Sequence, residues 1–478
     1  MSARLFATDS VQTFDELEHR ALGVAEALRE RGVTPGTRVM LKAGNSAAYV
    51  TTLLALMHTG ASIVLVDQQE HADETQRVLD QAGVKISLVD EDAPLVTDGA
   101  HALLYELLVA GATQTARDPE LRIGPWCDLP DGLIMYSSGS TGVPKGVVKN
   151  GGRFLKNLER NAEQVGHHSR DVLMPMLPFS HQYGLSMVLI AWLVRCSLVV
   201  APYRRVDRAV RMAGQCGVTV TDGTPSTYQS ILNIVKRNPG YSAELATVRM
   251  FCSGAAPLGS TLSDDYVAQF GLPLLDSYGS TELGNLAFAN PENPVGCGRA
   301  LPGHELHILD DEGNRLPAGE TGEIVMYCPD MMAGYLATDG SLDVAEQGWR
   351  HTGDFGYLDK DDNLFVVGRK FAVHRKGHTL YPEIIEHKVT ETLCSVKVIP
   401  LPDDRRGCQL VFFVEDPLGH DTRHWRARIG EVLPEFERPD RIQVVDRFPL
   451  NRNGKPDKRR LTEVALADAE LSAEPKAG

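Results

Sequence analysis

Apolar residues recur along the first part of the chain in two alternating rhythms. From Thr13 to Leu28, the positions Phe14, Leu17, Ala21, Val24 and Leu28 fall on one stripe at helical spacing. Thr13 and Glu16 form a capping-box pattern at the start of that stripe, and Gly32 with the Pro35-Gly36 pair ends it. Arg38 to Lys42 then reads as a short strand, Ala47 to Thr59 as an apolar helix and Ile63 to Val66 as another strand. Val84 to Val89 and Gly132 to Tyr136 continue the series. Alternation of this kind predicts an α/β architecture in which sheets with a substantial parallel component are flanked by helices. The most apolar stretch, Leu185 to Val200, is too short for a membrane span and contains Arg195. It predicts a buried helix running into a strand.

Near Asp310 the texture changes. Leu309-Asp310-Asp311-Glu312-Gly313-Asn314 reads as a tight turn between strands, and Leu358 to Asn363 as a second. From Gly368 onward the segments fit a small α+β unit. It has a helix over Glu383 to Thr392, strands near Val396 and over Leu410 to Val414, and a helix over Trp425 to Val432. The expected organisation is a large multi-layer N-terminal domain, 1–368, with a β-rich subdomain over about 296–368. A small α+β domain, 369–465, follows, and then a frayed Ala-, Glu- and Pro-rich tail, 466–478.

Charge narrows the partners. The formal net charge is −15 over 478 residues, so no general field attracts nucleic acid, and small anions need local basic or backbone-amide sites. None of the eight cysteines lies in a C-x-x-C pair, which suits buried, reduced thiols in a cytoplasmic protein better than zinc or redox chemistry. The first twenty residues carry acids and no apolar core, unlike a signal peptide.

The most informative stretch is Tyr136-Ser137-Ser138-Gly139-Ser140-Thr141-Gly142-Val143-Pro144-Lys145-Gly146, which follows the apolar run Leu133-Ile134-Met135. Its glycines let the backbone bend tightly and turn amide hydrogens toward an anion; its hydroxyls add donors, and Lys145 adds positive charge. The combination suits a polyphosphate. The Walker spacing G-x-x-x-x-G-K-[ST] is missing.

This loop resembles the signature loop of the adenylate-forming (AMP-binding) superfamily, which includes acyl- and aryl-CoA synthetases, peptide-synthetase adenylation domains and beetle luciferases. Further segments resemble that family in order, from about Thr13 to Leu461. Tyr278-Gly279-Ser280-Thr281-Glu282 is similar to its second core motif, and implies that Thr281 contacts phosphate and Glu282 holds Mg²⁺. Ser253-Gly254-Ala255-Ala256-Pro257-Leu258 resembles the turn beside adenine. Trp349-Arg350-His351-Thr352-Gly353-Asp354 resembles the motif whose aspartate, here Asp354, bonds the ribose hydroxyls. Gly368-Arg369 resembles the arginine that reaches the ribose or α-phosphate. Asn451-Arg452-Asn453-Gly454-Lys455 resembles the loop of the catalytic lysine, which implies that Lys455 bridges carboxylate and α-phosphate.

The resemblance implies a two-step reaction. ATP and a carboxylic acid bind between the large and small domains, and the acyl-adenylate forms with loss of pyrophosphate. After rotation of a mobile small domain, the acyl group passes to a thiol, with coenzyme A first and a carrier protein or an amine second. A third reading is a nucleotide-binding protein without catalysis, against which Lys145, Glu282, Asp354 and Lys455 argue. Pro178-Phe179-Ser180-His181-Gln182-Tyr183-Gly184 resembles the segment that sets a histidine, His181, near the substrate carboxylate. The aspartate that pairs an α-ammonium in amino-acid-activating relatives is missing there, so fatty or aromatic acids are expected before α-amino acids. The pocket floor is expected near Asp222 to Tyr228 and Leu275 to Tyr278, with Leu283 to Phe288 beyond. One departure concerns rotation: Phe371 stands where the family has an aspartate or lysine hinge.

Overall fold

A computed structural model describes residues 2–93, 100–137, 144–369, 371, 373–375, 378–403, 407–451 and 454–473. Two compact units make up the chain. One comprises 1–255, 272–305 and 327–349, and the other 256–271, 306–326 and 350–478.

The first unit is built on two large sheets. One has eight strands in the order Leu342–Val344, Gly334–Leu336, Lys145–Lys149, Leu133–Ser137, Ser62–Val66, Arg38–Lys42, Ile86–Val89 and His101–Leu103. From Leu133–Ser137 to His101–Leu103 every pairing is parallel, and the others are antiparallel. Ser62–Val66 is buried at all five positions, as its run of β-branched and aliphatic residues demands of a strand covered on both faces. The second sheet has seven strands, ordered Leu274–Leu275, Met250–Ser253, Val220–Gly223, Val172–Pro175, Ser197–Val199, Arg4–Phe6 and Val11–Thr13. All of its pairings are parallel except the last. Helices Phe14–Glu30, Ala47–Thr59 and Gln182–Val194 contribute Leu17, Leu53 and Leu189 to one core that reaches both sheets through Leu65 and Leu173.

The sequence-based boundaries hold closely in this unit. Thr13 caps the first helix through the full capping box. The strand Arg38–Lys42 and the helix Ala47–Thr59 start and stop where their patterns do. Leu185 to Val200 is a helix running into a strand. Among the described residues no helix is long and apolar enough to cross a membrane.

In the second unit, Val396–Asp403 pairs antiparallel with Gly407–Glu415, which pairs parallel with Arg441–Val445. Alternation splits these strands between two cores. Val398, Leu410, Phe412 and Val414 face Ile385, Val389 and Ile429. Ile399, Leu401, Val411 and Phe413 face Phe448, Leu461 and Ala465. A four-stranded sheet, Glu305–Leu309, Gly322–Tyr327, Trp349–Leu358 and Leu364–Arg369, carries most of the β-rich segment. The last helix runs over Lys458–Ala473. The run Val464 to Ala473 is rich in alanine, leucine and glutamate, which are strong helix formers, and Leu461 and Ala465 anchor it.

The segment 177–184 is clamped before its helix begins. Asn45 Nδ2 donates to the Leu177 carbonyl at 2.8 Å, and Phe179 N donates to Asn45 Oδ1 at 2.8 Å. Tyr49 donates its hydroxyl to the Phe179 carbonyl at 3.2 Å. Gly184 lies so near this bend that a Cβ there would run into the Pro178 carbonyl oxygen. Gly184→Ala is therefore expected to destabilise the protein by about 1–3 kcal/mol, the usual range for overpacking. Urea unfolding checks this, and an unchanged midpoint would contradict the packing account.

Candidate functional site

Strands Leu133–Ser137 and Lys145–Lys149 pair antiparallel with Ser137 opposite Lys145. The Gly/Ser loop joins these two positions. Ser138, Gly139, Ser140, Thr141 and Gly142 lie outside the described residues. Ser137 donates its hydroxyl to Glu282 Oε1 at 3.0 Å. The exposed Lys145 ammonium lies 5.4 Å from the centre of the Tyr335 ring.

Glu282 sits in the turn between strands Ser277–Ser280 and Gly284–Phe288, beside Thr281. Tyr278 and Gly279 lie on the first of these strands, at a break in register. A Cβ on Gly279 would lie 2.7 Å from the Gly284 carbonyl oxygen, so only glycine fits the narrow hairpin. The Ser280 hydroxyl accepts from Leu283 N at 3.1 Å and closes the turn. Gln182 Nε2 donates to the Ser280 carbonyl at 2.9 Å, which ties the start of the helix Gln182–Val194 to the same hairpin. His181 is the N-cap of that helix; its Nε2 stands 3.9 Å from Asp67 Oδ2, and the Ser180 hydroxyl donates to the same oxygen at 3.2 Å. Behind Glu282 lies the buried Lys149, whose pKa is pushed down to about 8 by burial, with Cys328 and Glu282 opposing the shift.

Gly254 and Ala255 follow the strand Met250–Ser253, and Gly254 N donates to the Gly223 carbonyl at 3.2 Å. Ala255 holds the left-handed conformation at φ 67°. Ala256 is grouped with the second unit.

In the second unit Asp354 and Arg369 face each other across paired strands. Arg369 Nε lies 3.0 Å from Asp354 Oδ1, and Arg369 Nη1 donates to the Thr352 carbonyl at 3.3 Å. Asp354 is buried apart from about a tenth of its side chain, while Arg369 is more than half exposed. Lys455 follows Gly454, whose φ is 73°, in a turn closed by Lys455 N donating to Asn451 Oδ1 at 3.0 Å. Burial lowers the Lys455 pKa, and Arg369 lowers it further while Asp354 raises it. The helix after this turn is pinned at once: Lys458 Nζ lies 2.8 Å from Glu383 and 3.0 Å from the buried Glu386. Phe371, at the expected hinge position, is exposed, and its N–H donates to the Arg369 carbonyl at 2.9 Å.

The structure thus joins Ser137 to Glu282 and the residue beside His181 to the Ser280 turn. It separately groups Asp354, Arg369 and Lys455. Sequence reading missed Asp67 and Lys149. Asp67 was findable as an acid directly after a buried strand; Lys149 gave no signal, because its burial depends on distant segments.

Two buried carboxyls stand near the ends of strands in the seven-stranded sheet. Asp222 and Asp276 are each pushed up to about 7, in both cases by burial first. Tyr183 opposes the shift at Asp222, and Ser277 N and the Cys297 thiol oppose it at Asp276. Between roughly pH 4, where an unfolded aspartate titrates, and pH 7 the folded state keeps these protons and the unfolded state has lost them. Raising pH through that window therefore removes stability. Urea midpoints of wild type and Asp222→Asn, measured from pH 5 to pH 8, are expected to separate in favour of the variant as pH rises. A constant separation would contradict the raised pKa.

A family model described as AMP-binding enzyme matches residues 3–336. The chain is 29% identical to a 4-coumarate–CoA ligase of Vanilla planifolia, over 94% of this chain and 88% of that protein. It is 27% identical to the fatty acid–[acyl-carrier-protein] ligase ScoC of Streptomyces coeruleorubidus, over 96% and 92%. Among solved structures, ATP-bound MatB from Rhodopseudomonas palustris superposes with a TM-score of 0.85 at 24% identity, covering 97% of this chain and 96% of that one. The o-succinylbenzoate CoA synthetase of Bacillus subtilis, in complex with its acyl-adenylate, gives 0.81 at 24% identity, covering 96% and 95%. At these identities the two structures establish the shared fold.

Proposed function

The chain belongs to the AMP-binding enzyme family, and from that premise we propose that it activates a carboxylic acid with ATP and passes the acyl group to a thiol, coenzyme A first. The observation that carries this reading is the hydrogen bond from Ser137 to Glu282, which ties the root of the Gly/Ser loop to the Thr-Glu turn.

In the first step a carboxylate oxygen attacks the α-phosphorus, the bond to the β-phosphate oxygen breaks, and pyrophosphate leaves. Lys145 and the loop amides take up charge on the β- and γ-phosphates. Thr281 donates its hydroxyl to phosphate. His181 orients the incoming carboxylate, and Lys455 neutralises the charge that develops between carboxylate and α-phosphate. Asp354 and Arg369 hold the ribose, and Tyr278, Gly279, Gly254, Ala255 and Ala256 line the adenine. In the second step the thiol sulfur attacks the acyl carbonyl and AMP leaves.

Glu282 suits magnesium, which takes one or two carboxylates and completes its shell with phosphate oxygens and water. Among the described residues no cluster of three or more His, Cys, Asp and Glu side chains forms a metal cage, so a substrate-borne ion fits better than a protein-caged one. When bound, magnesium neutralises phosphate charge.

The similarity to a carrier-protein ligase favours a carrier-borne thiol as the second reading of the acceptor. The substrate is read as a fatty or aromatic acid, in keeping with the relatives named above. A cytoplasmic location accompanies this reading, because the eight cysteines are free thiols.

Lys455→Ala is expected to lower acid-dependent ATP–pyrophosphate exchange by at least ~100-fold, the scale of one lost charge-stabilising group. Its ATP affinity by calorimetry should stay within a few-fold of wild type. Exchange at the wild-type rate would remove Lys455 from the chemistry.

A further inference from the structure

We propose that Asp222 determines which acids are accepted: its Oδ2 receives a hydrogen bond from an N–H or O–H donor that the substrate carries away from its carboxylate. This rests on the adenylation reading and names its substrate class.

Asp222 is the third residue of the strand Val220–Gly223, with Pro175 and Cys252 beside it in register. Alternation along the strand sends its side chain away from Thr221, whose hydroxyl meets Tyr228 of the helix Pro225–Arg237 at 3.2 Å. Tyr183, from the helix Gln182–Val194, donates its hydroxyl to Asp222 Oδ1 at 3.0 Å. Asp222 is only 2% exposed, and its Oδ2 has no hydrogen-bond partner among the described residues.

Such an arrangement costs stability. A buried carboxylate oxygen without a donor keeps its desolvation penalty uncompensated. Asp171, one residue ahead of a neighbouring strand, shows what a structural aspartate receives. It accepts from His168 N at 3.0 Å, Thr219 Oγ1 at 2.9 Å, Arg249 Nε at 2.8 Å and Arg249 Nη2 at 2.7 Å. Nothing comparable serves Asp222. Burial accordingly shifts its pKa up to about 7.

The position points to substrate. Tyr183 lies two residues after His181, the candidate partner of the reacting carboxylate. A Cβ on Gly254 would sit 3.0 Å from the Tyr183 ring and would run into the Ser277 hydroxyl. Tyr183 thus belongs to the His181 segment and lies against the Gly254 turn, which itself abuts the strand that leads to Glu282. A donor on the acid completes the unfilled hydrogen bond. An ammonium also supplies the countercharge, and a hydroxyl supplies the hydrogen bond alone. An acid with a methyl group in that place leaves Oδ2 buried and unpaired.

The test uses matched triads in the ATP–pyrophosphate exchange assay. One triad is 3-aminobutanoate, 3-hydroxybutanoate and 3-methylbutanoate; the other is 4-aminobenzoate, 4-hydroxybenzoate and 4-methylbenzoate. In an active triad a donor-bearing acid should exceed its methyl counterpart in kcat/KM by ~10–100-fold, as a site built around a hydrogen bond requires. Preference for 3-aminobutanoate identifies an ammonium, preference for 4-aminobenzoate a neutral N–H donor, and preference for a hydroxy member a hydroxyl. Asp222→Asn and Asp222→Leu should abolish the preference, and Asp222→Leu should raise the melting temperature by relieving the unpaired group. Equal rates within an active triad overturn the inference and leave adenylation standing. So does a variant that melts lower with its acid ranking unchanged, because Asp222 is then structural. Silence with all six acids, when a broader panel of unsubstituted acids is also silent, overturns the adenylation reading and the inference together.

Discussion

The hydrogen bond between Ser137 and Glu282 links two pieces of architecture that the sequence keeps 145 residues apart. Ser137 ends a strand of the eight-stranded sheet, and Glu282 stands in a hairpin outside that sheet. Their contact sets where the Gly/Ser loop starts relative to the candidate magnesium carboxylate. The other local features serve that relation. Gln182 holds the hairpin by the Ser280 carbonyl, and Asn45 and Tyr49 hold the segment that delivers Gln182. Gly279 narrows the hairpin so that Glu282 projects from a tight turn rather than a loose loop.

The electrostatics are local, as the net charge of −15 requires. Each candidate cation is placed by a specific partner or surface within its own unit. Lys145 lies against the Tyr335 ring, Arg369 bonds Asp354, and Lys455 sits in a turn fixed by Asn451. The residue that starts the next helix, Lys458, is anchored on Glu383 and Glu386. Glu386 is kept ionised in spite of burial by Lys397 and Lys458 together with the Val398 N–H. This buried carboxylate is fully paired, which sets it apart from Asp222 and marks the difference between a group that holds the fold and one that awaits a ligand.

Much of the fold was legible because periodic burial leaves a periodic sequence. The stripe from Phe14 to Leu28 and the fully buried run Ser62–Val66 could hardly read otherwise. The candidate site was legible where chemistry demands several residue types at fixed spacing, as in the Gly/Ser loop and the Thr-Glu turn. What escaped depended on distant partners. Asp67 gains meaning only when Ser180 and His181 arrive beside it. The helix Ser260–Phe270 belongs to the second compact unit although the chain returns to the first afterwards, and no local signal announces that. Asp222 looked like part of a mixed pocket floor; its unfilled oxygen became visible only once Tyr183 had taken the other.

The proposed chemistry turns on attack at the α-phosphorus by a substrate carboxylate. The most direct measurement follows oxygen. An acid that supports exchange is labelled with heavy oxygen in both carboxylate positions, carried through one turnover with ATP, magnesium and coenzyme A, and the nucleotide product is analysed by mass. The account predicts AMP carrying one heavy oxygen, with unlabelled pyrophosphate. Unlabelled AMP, or label in inorganic phosphate alongside ADP, would contradict it.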